Sequence, residues 1–144
     1  MVSKSKFTPI GGRNHCVFVV PFLRALGWTP QKMAVEWNHV DIALFSNLPR
    51  KDDNLTVVVE AKRRGNSCLT AKSQAEEYAR SKGCDRLIVT DGIRFGIFGK
   101  IDERFQLISY LNITRLRNSY PIYDCFGARE AILNMTPEKA IEAK

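Results

Sequence analysis

Apolar residues along the chain fall into short runs that are separated by polar stretches containing glycine or proline. Short runs that are rich in valine, isoleucine and phenylalanine are typical of β-strands. The pattern predicts strands at residues 39–45, 55–62, 86–90, 93–98 and 105–111. A polar segment with Pro49 separates the first two, so we expect them to be antiparallel neighbours. Asp91-Gly92 supplies the positive φ angles of a tight turn between the third strand and the fourth.

Three helices are predicted around these strands. Residues 16–26 are apolar on most sides and end before Gly27, and Pro21 would either kink this helix or mark a late start. Residues 70–82 are good helix formers, with Thr70 as the N-cap and Gly83 as the stop signal. Residues 126–135 form a short third helix, and the Lys- and Glu-rich end that follows is typical of a fraying tail or a domain boundary.

This order of elements predicts an α/β fold of α+β character, in which a mixed central sheet of about five strands is flanked by helices. The 144 residues and the 44% hydrophobic content fit a single domain, with a core over about residues 14–135 and tails at both ends. No apolar run is long enough to span a membrane, and the first residues lack the pattern of a signal peptide. We therefore expect a soluble, cytoplasmic protein without a membrane partner.

Composition adds a preference for an anionic partner. The formal net charge is +7, which favours a surface that contacts nucleic acid. The four cysteines are scattered without a C-x-x-C pair, a spacing that argues against zinc and favours reduced, packed thiols. Trp28 and Trp37 are expected in the core.

Two carboxylates interrupt the apolar strands, and their positions point to chemistry. Because side chains alternate along a strand, Glu60 and Lys62 share one face, and Asp41 joins them if the two strands pair in the right register. A divalent cation such as Mg²⁺ makes such a pair of carboxylates tolerable, and the lysine could orient a water or offset charge on a phosphoryl oxygen. The alternative is an ordinary ion pair at the wet end of a strand. Gln74, with Tyr78 one turn later on the same helix face, favours the first interpretation because it can reach back over the site.

Asp41, then Glu60-x-Lys62 on an apolar strand, then Gln74 in the next helix resemble the PD-(D/E)xK nuclease superfamily. The segments LRALGW, AEEYAR, LIVTDGIRFGIF and YLNITRLRNSYPIYDCFGAREAI are similar to the N-terminal nuclease domain of type I restriction enzyme R subunits, over about residues 22–133. The resemblance implies a restriction-endonuclease-like fold and Mg²⁺-dependent DNA cleavage, with Mn²⁺ as a substitute.

Carried over position by position, the resemblance makes Asp41, Glu60 and the carbonyl of Ala61 the metal ligands. Lys62 becomes the residue that positions water or stabilises charge, and Gln74 a helper near the attacked phosphate. Members of this family commonly have an acidic residue on the first helix, whereas residues 11–26 contain no Asp or Glu. This departure sustains a rival hypothesis, a catalytically inactive module that binds nucleic acid or docks a partner on the same fold.

A third hypothesis is a junction-resolvase-like nuclease, which would act as a symmetric homodimer. The G-x-x-x-x-G-K-[ST] motif of ATP-driven motors is absent, so the chain works alone, as part of a longer protein, or with other restriction-modification subunits.

Several residues are weaker candidates for contact with DNA. His39, Arg63, Arg64 and Tyr78 could reach the nucleic acid near the site, although a packed histidine and solvated arginines are the ordinary alternatives. A separate group could form a basic and aromatic patch, but we expect its members to be ordinary surface and packing residues: Arg115, Arg117, Tyr120 and Tyr123.

Overall fold

The computed structural model describes residues 12–38, 40–62 and 73–142, and for residues 12–17, 73 and 142 it describes the backbone alone. Six strands form one sheet in the order β1-β2-β3-β4-β5-β6. Their bounds are β1 Met33–Trp37, β2 Val40–Phe45, β3 Leu55–Ala61, β4 Arg86–Thr90, β5 Arg94–Ile101 and β6 Arg104–Asn112. The helices are α1 Gly12–Ala25, α2 Ser73–Ser81, α3 Ala128–Asn134 and α4 Pro137–Glu142, with short 3₁₀ turns at Pro30–Lys32 and Asp52–Asn54.

The sheet is mixed because β3 and β4 pair in parallel, whereas every other neighbouring pair is antiparallel. A parallel pair needs a crossover connection, and α2 lies in the connection between these two strands. The register pairs Ile42 with Val59 across β2 and β3, and Ala61 with Thr90 across β3 and β4. The β2–β3 pairing confirms the predicted antiparallel neighbours.

Two apolar clusters lie on opposite faces of the sheet, as expected when a central strand is buried on both sides. The first packs Val57, Val59 and Ala61 of β3 against α1, α3 and α4. The second packs the even-numbered face against α2, whose buried residues are Ala75 and Ala79. These two small side chains, one helical turn apart, let α2 lie close to the strands.

The first two helices end shortly before Gly27 and Gly83, the stop signals that the sequence predicts, and both glycines have positive φ angles. In each case the amide two residues past the helix cap bonds back to a carbonyl of the last turn: Trp28 to Leu23 and Cys84 to Ala79. Glycine adopts the left-handed conformation of this motif without steric cost. α1 begins at Gly12 and continues through Pro21, so the proline lies inside the helix.

The structure corrects four details of the predicted fold. β1 and α4 were not predicted, so the sheet has six strands and the C-terminal segment contains a helix with Ala140 buried. The last predicted helix, at residues 126–135, is shorter and spans Ala128–Asn134. At the β4–β5 turn only Gly92 has a positive φ angle, because the Asp91 side chain organises this turn. The predicted N-cap Thr70 lies outside the described residues. No helix in the described part of the chain is both long and apolar enough to cross a membrane.

Candidate active site

Asp41 and Glu60 lie side by side on the face of the sheet that α2 covers. The pairing of Ile42 with Val59 makes Asp41 the cross-strand neighbour of Glu60. Both share the parity of Ala43 and Val58, which pack into the α2 cluster. Asp41 is half-buried, and 17% of the Glu60 side chain is exposed. The predicted juxtaposition of the two carboxylates is therefore present.

The backbone of Ala61 belongs to the same cluster. Its amide donates a hydrogen bond of 2.7 Å to Oδ2 of Asp41. The next amide, of Lys62, donates instead to the carbonyl of Thr90 on β4, at 2.6 Å. Since the N–H and C=O of one strand residue point to the same side, the Ala61 carbonyl faces the β2 side, where Asp41 lies.

Lys62 is the first residue after β3, and its side chain contacts Glu60. Its Nζ lies 2.6 Å from Oε2 of Glu60, and 20% of the lysine side chain is exposed. A charge-assisted contact this short fixes the position of the ammonium group. The cluster thus brings two carboxylates, one carbonyl and one cation to the C-terminal end of β3.

This donor set fits a hard divalent cation. Mg²⁺ is bound in proteins by one or two carboxylates and keeps several of its waters, so two carboxylates and a backbone carbonyl suffice. Within residues 12–38, 40–62 and 73–142, no group of three or more His, Cys, Asp or Glu could hold a metal. Asp41, Glu60 and Ala61 would be the protein ligands.

Gln74 lies in the first turn of α2 and is exposed. A short connection joins the end of α2 to the start of β4, so the helix runs back along the sheet and its first turn lies near the end of β3. In the described structure Gln74 lines a shallow depression of about 260 Å³ with Glu77, Tyr78 and Ser81. No described hydrogen bond joins Gln74 to the carboxylates, and its role stays a prediction.

Tyr78 takes part in a polar network that ties α2 to two loops. Its hydroxyl donates to Oδ1 of Asp52 at 2.9 Å and accepts from the Asn38 amide at 2.9 Å. Trp37 Nε1 also donates to Asp52, and Lys82 lies 3.1 Å from the same carboxylate. The Trp37 hydrogen bond is the largest cause that lowers the pKa of Asp52. The sequence did not reveal this network, in which Tyr78 holds α2 against the segments that contain Asn38 and Asp52.

A second feature missed from the sequence lies next to Lys62. Asp91 follows β4 and is 3% exposed. Its carboxylate accepts from the amides of Ile93 and Arg94, at 3.0 and 2.7 Å. It also accepts from Nε and Nη2 of Arg94, at 2.9 and 2.6 Å. Burial raises the pKa of Asp91, but these hydrogen bonds and the arginine charge together lower it. The sequence pattern that could have indicated this pair is Asp-Gly-x-Arg, which places the arginine three residues after the aspartate.

The remaining candidates fall into two groups. His39, Arg63 and Arg64 lie outside the described residues, as do the side chains of Cys16 and Cys68. Cys84 is a buried free thiol and Cys125 a partly buried one. Trp28 is buried as predicted, and its Nε1 donates to the Met135 carbonyl.

No protein-family model and no curated protein matches the chain. Among solved structures, the chain is similar to a fragment of a protein described as an HsdR subunit of a type I restriction enzyme from Vibrio vulnificus YJ016. The TM-score is 0.55, with 18% sequence identity over 93% of this chain. The chain spans 25% of the length of that structure. At this identity the similarity shows the fold, a mixed sheet flanked by helices of the α/β class.

Proposed function

We propose that the chain is a metal-dependent DNA endonuclease that hydrolyses phosphodiester bonds in a restriction-modification or related DNA-processing system. The observation that carries this proposal is the convergence of Asp41, Glu60 and Lys62 at one end of one sheet face, with Nζ of Lys62 2.6 Å from the Glu60 carboxylate. The fold shared with a fragment described as a restriction enzyme subunit adds support.

In this proposal Asp41, Glu60 and the Ala61 carbonyl hold Mg²⁺, for which Mn²⁺ can substitute. A bound ion of this kind lowers the pKa of a water and neutralises charge on the phosphoryl oxygens. Lys62 donates hydrogen bonds to the attacking water or to a phosphoryl oxygen, and its charge stabilises the anion that develops there. Gln74 orients the attacked phosphate from the first turn of α2.

The second candidate function is a nucleic-acid-binding or partner-docking module without catalysis. Two observations favour it: α1 carries no acidic residue, and the described residues contain no group of three potential metal ligands. In this case Glu60 and Lys62 form an ion pair that closes the end of β3.

Plasmid cleavage separates these two functions. Supercoiled plasmid is incubated with the protein and Mg²⁺ or Mn²⁺, and with EDTA as the control for metal dependence. We expect wild type to convert the plasmid to open circles in either metal, and Glu60→Gln to lose this activity. Glu77→Gln is the matched control, because Glu77 is an exposed carboxylate of α2 outside the cluster. Wild type that binds the plasmid without cutting it would favour the module.

A further inference from the structure

The end of the sheet that carries Lys62 continues into a loop with two exposed arginines. Thr90 pairs with Ala61 and with Phe95, and Arg94 pairs with Asn112. Lys62, Asp91, Arg94 and Asn112 therefore lie in one row across four strands. Neighbouring strands are about 4.8 Å apart, so the Arg94 backbone lies about 10 Å from that of Lys62.

Directly after Asn112 the chain leaves the sheet, and residues 113–119 are all exposed. This segment contains Arg115 and Arg117 and no acidic residue. Within residues 12–38, 40–62 and 73–142, no ion pair holds either arginine. Arg94, Arg115 and Arg117 are called the arginine edge below.

Hydrogen bonds with Tyr120, Asn112 and Ala128 hold this segment in place. The buried Tyr120 hydroxyl donates to the Arg115 carbonyl at 2.8 Å and accepts from the amides of Asn112 and Arg117. The Asn112 side chain accepts from the amide and hydroxyl of Thr114. The Ala128 amide donates to the Arg117 carbonyl at 2.8 Å. The backbone of both arginines is thus ordered before any partner binds, which lowers the entropic cost of binding.

Tyr120 and Tyr123 supply the packing beneath this loop. Both rings contact Tyr110 of β6, with centroid distances of 4.9 and 4.4 Å. Tyr110 and Tyr120 belong to the apolar cluster on the same sheet face as Asp41 and Glu60. The aromatic residues are therefore packing residues, as expected, whereas the arginines that they support follow the last strand of the row that begins at Lys62.

We propose that the arginine edge contacts the phosphates of the nucleic-acid strand that enters the site, so that the strand passes from Lys62 along the ends of β4 to β6. A segment with two exposed arginines and no acidic residue matches a polyanion, and arginine binds phosphate oxygens through its planar fork. Arg94 keeps its orientation through Asp91, and Arg115 and Arg117 supply charge that no described carboxylate offsets. This inference rests on the proposed nuclease function for the identity of the strand.

The salt dependence of DNA binding tests the arginine edge. Affinity for a labelled duplex oligonucleotide is measured by fluorescence anisotropy over a range of salt concentrations, without divalent metal so that no cleavage occurs. Each lost phosphate contact reduces the magnitude of the slope of log K against log salt concentration by about 0.9. The slope is negative, so the double variant Arg115→Gln/Arg117→Gln should make it less negative by about 1.8.

A matched control removes the same charge elsewhere. Arg24 lies in the last turn of α1, on the opposite sheet face, and Arg104 lies at the other end of β6; both are exposed. Arg24→Gln/Arg104→Gln should leave the slope nearly unchanged, and thermal denaturation should show that both double variants are folded. Equal slopes in the two double variants, or a wild-type slope in the arginine-edge variant, would overturn the proposal. An acidic protein partner in place of DNA would give that second result.

The same measurement keeps this inference separate from the nuclease proposal. A weaker salt dependence in the arginine-edge variant, together with a plasmid that wild type does not cut in either metal, would support the binding surface and refute the catalytic function. A plasmid that is cut, together with the same salt dependence of DNA affinity in wild type and the arginine-edge variant, would support the nuclease and refute the arginine edge.

Discussion

The buried carboxylate of Asp91 makes the fold sensitive to one substitution at the edge of the candidate site. Asp91→Asn keeps the size of the side chain and one oxygen for the turn amides, but it replaces the oxygen that binds Arg94 with an amide group. Four hydrogen bonds meet at this carboxylate, two of them from the Arg94 guanidinium. Asp91 is 3% exposed, so the amide group that replaces its oxygen stays buried against the Arg94 guanidinium.

The expected cost follows from the burial of the two partners. Removing one member of a buried ion pair destabilises a protein by about 3–5 kcal/mol. The Arg94 side chain is 32% exposed and can regain part of its hydration, so the cost is smaller here. We expect Asp91→Asn to lower the free energy of unfolding by about 2–3 kcal/mol at neutral pH.

Urea denaturation followed by circular dichroism measures this loss. Asp85→Asn is the matched control, because Asp85 precedes the other end of β4, is more exposed, and lies a long 3.9 Å from Lys100. The control should lose less than about 0.5 kcal/mol. Equal losses in the two variants, or a loss below about 1 kcal/mol in Asp91→Asn, would refute this account of the turn.

The pH dependence has a definite sign. The pKa of Asp91 is lowered from 3.8 in the folded protein, so its charge stabilises the fold above that pH. The difference between wild type and Asp91→Asn should therefore be constant from pH 7 to about pH 5 and shrink as the pH falls below the ordinary aspartate pKa. A difference that grows on acidification would contradict the assigned direction.

Three further predictions concern the loop, its anchor and the metal. Tyr120→Phe removes the hydrogen bonds of the Tyr120 hydroxyl with the backbone of Asn112, Arg115 and Arg117 and should lower the free energy of unfolding by about 1–3 kcal/mol in urea denaturation; a wild-type value would contradict the anchoring. Gly127→Ala should lower the free energy of unfolding by more than about 3 kcal/mol, because a Cβ there would overlap the Asn118 backbone. Gly83→Ala has open space around the new Cβ but a φ of +71°, so it should lower the free energy of unfolding by only about 1–2 kcal/mol, and equal losses would refute the close approach at Gly127. Mg²⁺ should raise the melting temperature of wild type and leave that of Asp41→Asn unchanged, since a ligand stabilises only a fold that binds it; equal shifts would argue against the metal site.

The central strands and the candidate site could be predicted because burial leaves a clear trace in the sequence. β3 is apolar on both faces, so Glu60 stands out among its valines, and alternation along the strand fixes its face. The antiparallel pairing with β2 then determines that Asp41 lies beside it. Lys62 follows from the same alternation.

The edges of the fold could not be predicted in this way. β1 is an edge strand in which the consecutive residues Val35 and Glu36 are both exposed, so apolar and polar residues do not alternate along it. Glu36 also has a positive φ angle, which interrupts the regular strand conformation. Half of the residues of α4 are charged, and tertiary packing of Ala140 stabilises this short helix more than its own propensity. The Asp91–Arg94 pair was hidden because Asp-Gly is explained by a turn alone.

Arg115 and Arg117 show a related limit. From the sequence they are two cations in a polar segment, and ordinary solvated charge is the expected interpretation. Their significance comes from the Tyr120 hydroxyl, which bonds to their backbone, and from the pairing of Arg94 with Asn112. Both contacts depend on how the segment folds back onto β6.

The measurement that tests the central claim most directly compares cleavage with binding in Lys62→Ala. An interaction made chiefly in the transition state costs rate and leaves affinity nearly unchanged. We therefore expect Lys62→Ala to bind duplex DNA about as well as wild type and to nick supercoiled plasmid about 10²–10³-fold more slowly in Mg²⁺ or Mn²⁺. Lys82→Ala, which removes a lysine paired with Asp52 away from the site, should cut like wild type. A Lys62→Ala protein that cuts at the wild-type rate would contradict the assignment of Asp41, Glu60 and Lys62 as the active site.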